Sequence, residues 1–391
     1  TGLSHDIAKD SSDEENKYFL EKYKLPKELL DENNNKSYNE NVIGVLSEKT
    51  LHKTIKNLYE ENKDVRLIPA SITKIVTLKL VFDALDTGKI TKNTKVATSS
   101  YASSMGGSQI YLASGEEMIV NDLIKSVAIA SANDAAVALA EHIAGTEKNF
   151  VNLMNNEVKR LNLKNTHFEN CTGLPSSNHY TTAYDIAILA SELINKHPDV
   201  LNYTSIYEDY IREDTKKFWL VNTNKMVKNI NGVDGLKTGY LSECGYNLVC
   251  TKKENGMRLI SVVLGSTTIN ERTTDTLSLL NYGFSNFELI KLFSKNQVVK
   301  TINKIKISTN DINIVIQDDI YFVKNKDEEF KSISYEIVLD EYKINHYQKE
   351  NIGKIKISIK DQVLEYDLNI ENSVNRTNFL QLLLELLNKI F

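Results

Sequence analysis

After Phe293 the texture of this chain turns to period two, with row after row of apolar residues at alternate positions. Ile302, Ile305 and Ile307 make one row, Ile312, Ile314 and Ile316 a second, and Ile333, Tyr335, Ile337 and Leu339 a third. Ile355, Ile357 and Ile359 alternate with Lys354, Lys356, Ser358 and Lys360, and Leu364, Tyr366, Leu368 and Ile370 close the series. Successive strand side chains point to opposite faces, so this period marks short strands with one buried side. Residues 293–375 therefore read as a small β-sandwich. Nothing in it carries a catalytic pattern, which makes it a spacer or a platform for partners. A chain of 391 residues is long enough for such a domain and a larger one before it.

The larger unit, residues 42–292, mixes two textures. Val42-Ile-Gly-Val-Leu46 suggests a first strand, and Leu58-Tyr-Glu-Glu-Asn-Lys63 leads into a helix. In that helix Pro69 suits the first turn, and Ile72, Ile75, Val76 and Leu80 recur at helical spacing. A second helix starts near Asn121, passes Leu123, Ile124, Val127 and Ala128, and breaks at Ser131-Ala132-Asn133. Asp134 then caps a third, Ala135 to Ala144, which stops at Gly145. Gly232 to Tyr240, Tyr246 to Cys250 and Met257 to Gly265, punctuated by Asn255-Gly256, read as paired antiparallel strands. The fold class is α+β.

Residues 1–41 form a polar arm, with acidic Asp13-Glu14-Glu15, the run Asn33-Asn34-Asn35 and one helical patch from Tyr18 to Leu30. The net charge of −5 is spread over mixed charges without a basic cluster, so nucleic acid is not an expected partner. Cys171, Cys244 and Cys250 are too few for a disulfide framework, although the latter two could meet across a hairpin. Seven scattered histidines and the lack of a glycine-rich phosphate loop indicate neither a metal nor a nucleotide site. No apolar run reaches the length of about 18 residues that a membrane span needs.

Chemistry enters at three stations. Ser71 and Lys74 stand three apart, so they share one helix face and Oγ and Nζ can touch. A serine hydroxyl needs a base, and an amine is one only when neutral. Lowering a lysine to a pKa near 7 costs about 4.6 kcal/mol, which burial and a second cation can impose together. Taken alone, the tetrad also fits an amphipathic helix whose lysine reaches solvent. Ser131 and Asn133 place a hydroxyl and an amide at a tight turn, which also fits plain helix capping. Lys237, on the first of the paired strands, is the candidate second cation, and Gly239 leaves room for a backbone or ligand to approach closely.

The three stations in this order, Ser-x-x-Lys, Ser-x-Asn and Lys-Thr-Gly, resemble those of the penicillin-recognising serine acyltransferases, with Ala132 where an aspartate is usual in the middle of the second. The flanking text is similar to that of low-molecular-mass D-alanyl-D-alanine carboxypeptidases. It comprises Pro69-Ala-Ser-Ile-Thr-Lys74, Ile129-Ala-Ser-Ala-Asn-Asp-Ala-Ala136, Gly173-Leu-Pro175, His179-Tyr-Thr-Thr-Ala-Tyr-Asp185 and Val233-Asp-Gly-Leu-Lys-Thr-Gly239. The resemblance implies a penicillin-recognising, β-lactamase-like domain, an antiparallel sheet flanked by helices, followed by the β-sandwich.

It further implies that Ser71 attacks the penultimate D-alanine carbonyl of a peptidoglycan stem peptide, with Lys74 as its base. Ser131, held by Lys237, would pass a proton to the leaving D-alanine, and Asn133 would position the peptide or the lysine. Thr238 would bind the terminal carboxylate, and the N–H groups of Ser71 and Tyr240 would form the oxyanion hole. Arg272 falls where related sequences carry an arginine near the carboxylate, but it also fits a surface residue paired with Glu271 or Asp275. His179 is expected to be structural and Asp185 to cap or orient a helix. Thr223 stands where relatives have a basic residue between two asparagines.

No cofactor is expected, and β-lactam antibiotics are expected inhibitors. The last segment, residues 376–391, keeps polar residues at 378, 381, 385 and 388 and is too short to span a bilayer. It resembles the terminal helix with which related carboxypeptidases lie on the membrane surface, which would place the enzyme on the extracytoplasmic face; packing on the β domain or self-association competes with that. Two other functions share these residues: a β-lactamase, for which no Glu-x-x-Leu-Asn segment is found between Asn133 and Lys237, and a catalytically silent wall-peptide scaffold.

Overall fold

The computed structural model describes residues 41–45, 57–213, 216–302, 311–329, 333–345, 348–359, 362–371 and 387. The polar arm up to residue 40, and all of 376–391 except Leu387, lie outside the described residues, as do Ile305 and Ile307. Contacts divide the chain into two units at Ser285/Asn286.

In the first unit β1 (Asn41–Val45) and β2 (Asn57–Glu61) open the chain, and a 3₁₀ turn, Ala70–Thr73, leads into α1 (Lys74–Asp86). Then come α2 (Val120–Ile129), α3 (Asn133–Ala144), α4 (Glu147–Arg160) and α5 (Ala183–Lys196). Strands β3 (Val233–Leu241), β4 (Gly245–Glu254) and β5 (Met257–Ser266) follow, and α6 (Ile269–Asn286) ends the unit. The sheet order is β2-β1-β5-β4-β3, antiparallel throughout. The turn between β4 and β5 is Asn255-Gly256, both at positive φ (49° and 80°), as a two-residue hairpin requires.

Helix α1 is buried nearly all round, from Ile75 and Val76 to Leu78 and Val81. That makes it the axis of the helical layer rather than a surface helix. One sheet face, bearing Leu259 and Val263, is covered by α6, whose Gly283 comes so close to Leu259 that a Cβ there would sit 2.4 Å from Cδ1. The opposite face receives the 3₁₀ turn. A Cβ on Gly239 would lie 3.0 Å from Pro69 O and 3.2 Å from Ile72 N, so only glycine lets the β3 backbone meet this turn without displacement.

Of two aspartates, Asp134 departs from the expected capping role, and Asp185 orients its helix rather than capping it. Asp134 lies inside the first turn of α3, and its carboxylate accepts the N–H groups of Ile110 and Leu112 at 3.0–3.2 Å. In α5 the cap is Thr182, which accepts from Asp185 N at 3.1 Å, while Asp185 accepts from Asn165 N and Thr166 Oγ1. Both carboxylates tie a distant loop to a helix start. Cys244 and Cys250 do not meet across a hairpin, because one precedes β4 and the other lies within it; all three cysteines are free and buried.

The second unit contains β6 (Phe287–Phe293), β7 (Val298–Ile302), β8 (Ile312–Ile316), β9 (Ile320–Asn325), β10 (Ser334–Leu339), β11 (Gly353–Ile359) and β12 (Gln362–Ile370). One sheet runs β7-β8-β12-β11-β10, and β6 pairs with β9 in a second. Phe293 and Ile320 from the small sheet share a core with Ile314, Ile355, Ile357 and Leu368 from the large one, which makes the unit a sandwich. Strand β6 precedes the onset of alternation at Phe293, so the change of unit comes ahead of the change of period.

Candidate active site

The nucleophile candidate sits on the 3₁₀ turn, one residue after Ala70, whose backbone is held at φ 49°. A left-handed alanine is costly and persists only where its surroundings enforce it. Here the Ala70 carbonyl is pressed against Gly173, where a Cβ would fall only 1.7 Å from it. Gly173, at φ 86°, thus allows the 170–174 loop to dock on the turn. Asn170 shapes that loop by accepting from Gly173 N at 2.7 Å and Thr172 N at 3.2 Å.

The loop in turn presents the Thr172 carbonyl to Lys74. Lys74 Nζ donates to it at 2.6 Å and lies 3.0 Å from Ser71 Oγ, with the lysine side chain wholly removed from solvent. No carboxylate among the described residues pairs with it. Burial pushes its pKa down to about 7, against weaker opposing pulls from Cys171 and Asp134. An amine in that state offers a lone pair near neutral pH.

The second station lies at the end of α2. Ser131, at φ 62°, turns the chain into α3 and directs its hydroxyl at Lys237, whose Nζ donates to Ser131 Oγ at 2.9 Å and to Thr238 O at 3.0 Å. Burial, then the charge of Lys74, drives the Lys237 pKa well below its ordinary value. Lys237 was expected to be the cation that depresses Lys74. Burial is the largest cause of the lowering at both lysines, and the repulsion between the two amines adds to it.

Asn133 Nδ2 donates to Gly106 O at 2.6 Å, which fixes the amide orientation. Its Oδ1 is then buried without a partner among the described residues. An orphaned buried acceptor beside two catalytic candidates marks a place where a donor from a ligand fits.

At the open side of β3, Thr238 Oγ1 donates to Thr223 Oγ1 at 2.7 Å, so the residue standing in the place of a basic one supplies a second hydroxyl. Arg272 is not a surface arginine paired with its helix neighbours. It is buried on α6, its Nε lacks a partner among the described residues, and burial lowers its pKa despite the attraction of Cys250 and Tyr246. Those two residues flank Leu248 on β4, and Leu248 faces Thr238 across the ladder, so Arg272 approaches the sheet face that Thr238 shares. Tyr240, next along β3, is exposed and stacks on Tyr246 with ring centroids 4.3 Å apart.

His179 is a pin. Glu169 N donates to its Nδ1 at 3.2 Å, so Nε2 carries the proton and donates to Thr73 Oγ1 at 2.8 Å. Burial lowers its pKa to about 4, which leaves it neutral at ordinary pH. The structure thus brings Ser71, Lys74, Ser131 and Asn133 together beside Lys237, Thr238 and Gly239 in the middle of β3. The contribution missed from sequence is the Thr172 carbonyl, a backbone atom whose only outward sign is the nearby Gly173-Leu-Pro175.

Comparison with known proteins agrees with this geometry. Residues 49–268 match the family described as D-alanyl-D-alanine carboxypeptidase, peptidase S11, and residues 287–376 match the penicillin-binding protein 5 C-terminal domain. The chain is 44% identical to D-alanyl-D-alanine carboxypeptidase DacF of Bacillus subtilis over 80% of each protein. It is 38% identical to DacA of Escherichia coli over 60% of this chain and 59% of that one. Among solved structures it resembles penicillin-binding protein 5 of Haemophilus influenzae, with a TM-score of 0.69 and 29% identity over 86% of this chain and 97% of that one. Penicillin-binding protein D2 of Listeria monocytogenes, in an ampicillin-bound form, aligns at a TM-score of 0.55 and 31% identity, covering 62% of this chain and 96% of its own.

Proposed function

The chain belongs to the D-alanyl-D-alanine carboxypeptidase family, peptidase S11, and from that premise we propose that it removes the terminal D-alanine of peptidoglycan stem pentapeptides through an acyl-enzyme on Ser71. The observation that carries this reading is the buried amine of Lys74, 3.0 Å from Ser71 Oγ and, among the described residues, without a carboxylate partner.

In the proposed cycle the neutral Lys74 uses one N–H to stay on the Thr172 carbonyl and turns its lone pair to the Ser71 proton. Oγ attacks the penultimate carbonyl, and the N–H groups of Ser71 and Tyr240 receive the oxyanion, a contribution of about 3–4 kcal/mol per donor. Gly239 keeps β3 close enough to the nucleophile turn for Tyr240 N–H to serve. Ser131, hydrogen-bonded to Lys237, hands a proton to the leaving D-alanine nitrogen, and the proton that Lys74 took from Ser71 replaces it, which leaves Lys74 neutral again for hydrolysis. Water then attacks the ester and frees Ser71. Asn133 Oδ1 accepts an N–H of the bound peptide, which fills its empty valence.

The terminal carboxylate is proposed to lie at the Thr238 hydroxyl, in competition with Thr223 for its hydrogen, in the field of Lys237 and Arg272. A β-lactam presents the same carboxylate and a strained amide to the same groups, and so acylates Ser71. The segment 376–391 is proposed to lie on the outer membrane surface, holding the enzyme near the wall; loss of liposome co-sedimentation on its removal tests that.

Release of D-alanine from a stem pentapeptide, followed by mass spectrometry, tests the main reading. Wild type releases it and labels with fluorescent penicillin; Ser71→Ala does neither. A folded wild type that fails to label would overturn the assignment.

A further inference from the structure

The acyl half of the substrate needs a place, and the inference here rests on the reading just given. With the carboxylate at Thr238 and the reacting carbonyl at Tyr240 N–H, the peptide follows β3 outward and continues past Tyr240. A cleft of about 700 Å³ opens there. One wall is aromatic, the stacked rings of Tyr240 and Tyr246, and Val65 and Leu67 are apolar lining opposite in character to Glu243 at the rim. No Lys, Arg or His lines the cleft, and Glu243 is its one charged lining residue among those described. The Glu243 carboxylate accepts from Ser242 Oγ at 2.8 Å and lies open to solvent. The Ser242 hydroxyl and its own backbone N–H hold it below the usual carboxylate range, so it is ionised wherever the enzyme works.

An aromatic and aliphatic trough ending in one carboxylate suits an alkyl chain that ends in an ammonium group. On a stem peptide the residue before the attacked D-alanine is the third, its Cα about 3.8 Å from that of the acyl residue. Its side chain is the first to reach the cleft. We propose that this cleft is the subsite for the third residue and that Glu243 selects stems whose third residue carries a free side-chain amine. Lysine and diaminopimelate share that chemistry, and the latter adds a carboxylate that Glu243 repels.

Four pentapeptides separate the possibilities: third residue L-lysine, Nε-acetyl-lysine, meso-diaminopimelate and L-alanine. Rates of D-alanine release are referred to active sites titrated with fluorescent penicillin. The expected kcat/KM for lysine exceeds that for acetyl-lysine by about tenfold, as an exposed ion pair aided by an aromatic face allows. Diaminopimelate falls between them. In Glu243→Gln the lysine to acetyl-lysine ratio shrinks to within about twofold of unity, and in Glu243→Lys it inverts. Equal rates for both peptides in wild type, or a ratio that survives Glu243→Gln, overturn the subsite. No D-alanine from any of the four peptides sinks the carboxypeptidase reading itself, a different result from release without discrimination.

Discussion

Helix α1 carries two buried lysines, and their surroundings treat them in opposite ways. Lys74, at the first residue, meets a serine hydroxyl and a carbonyl and, among the described residues, no carboxylate. Lys79, five residues on and 3% exposed, is ion-paired to Asp83 at 2.7 Å and to Glu157 at 2.5 Å. The second pair belongs to a wider network in which Arg160 joins Glu157 to Glu192, and Lys196 and His197 join Asp83. This network ties α1, α4 and α5 together. Equal burial therefore does not make equal lysines; the missing counter-charge makes Lys74 a base, and the supplied one makes Lys79 a strut.

Exchanging each lysine for methionine separates the two roles, because methionine keeps the length without the charge. Lys74→Met is expected to lower penicillin acylation and D-alanine release by about 10²–10⁴-fold, the range for loss of a positioned base. Its Tm should hold or rise, since a costly buried amine is gone. Lys79→Met should do the reverse. Two part-buried carboxylates lose a partner, for about 3 kcal/mol of lost stability in denaturant titration, while kcat of the remaining folded enzyme stays near wild type. A Lys74→Met protein that unfolds, or a stable Lys79→Met protein that is inactive, would erase the distinction.

The same contrast predicts a pH profile. Burial sets the Lys74 pKa at about 7, so the reactive neutral form is lost as pH falls through that value. The second-order rate constant for acylation should drop about tenfold per pH unit below it. Stopped-flow acylation between pH 5 and 8 checks this, and a flat profile would remove Lys74 as the base.

What the sequence reveals, and what it hides, follows the range of each interaction. Ser71 and Lys74 are legible because three residues on a turn fix their neighbourhood, and the β4–β5 hairpin because Asn255-Gly256 has a local conformation to satisfy. The repeated isoleucines of β8 and β11, and the alternating Leu364, Tyr366, Leu368 and Ile370 of β12, announce a sandwich by period alone. Strands β6 and β9 are hidden, since Phe287-Glu-Leu-Ile-Lys-Leu-Phe293 and Ile320-Tyr-Phe-Val323 do not alternate. Strand β2 is hidden too, as its Asn-Leu-Tyr-Glu-Glu is largely polar. Asp134 reads as a cap because sequence sees only donors nearby, whereas its partners come from a loop some twenty residues away. The burial of Arg272 and the Thr172 carbonyl depend on packing between distant segments, which no local pattern encodes.

The strut should also show itself in acid. Burial pushes the Asp83 pKa up, but hydrogen bonds from Lys196, Lys79 and His197 outweigh it and hold the carboxyl at about 2, below its ordinary 3.8. A carboxyl depressed in the folded state stabilises fully above its unfolded pKa, and that contribution disappears as pH falls from 3.8 to about 2. Partial exposure screens the group, so the contribution is about 1–2 kcal/mol. Asp83→Asn should therefore lower stability at pH 7 by that amount and leave it close to wild type at pH 2. Denaturant titrations of both proteins across this range measure the difference; a deficit that persists unchanged at the lowest pH would mean that Asp83 acts through packing rather than charge.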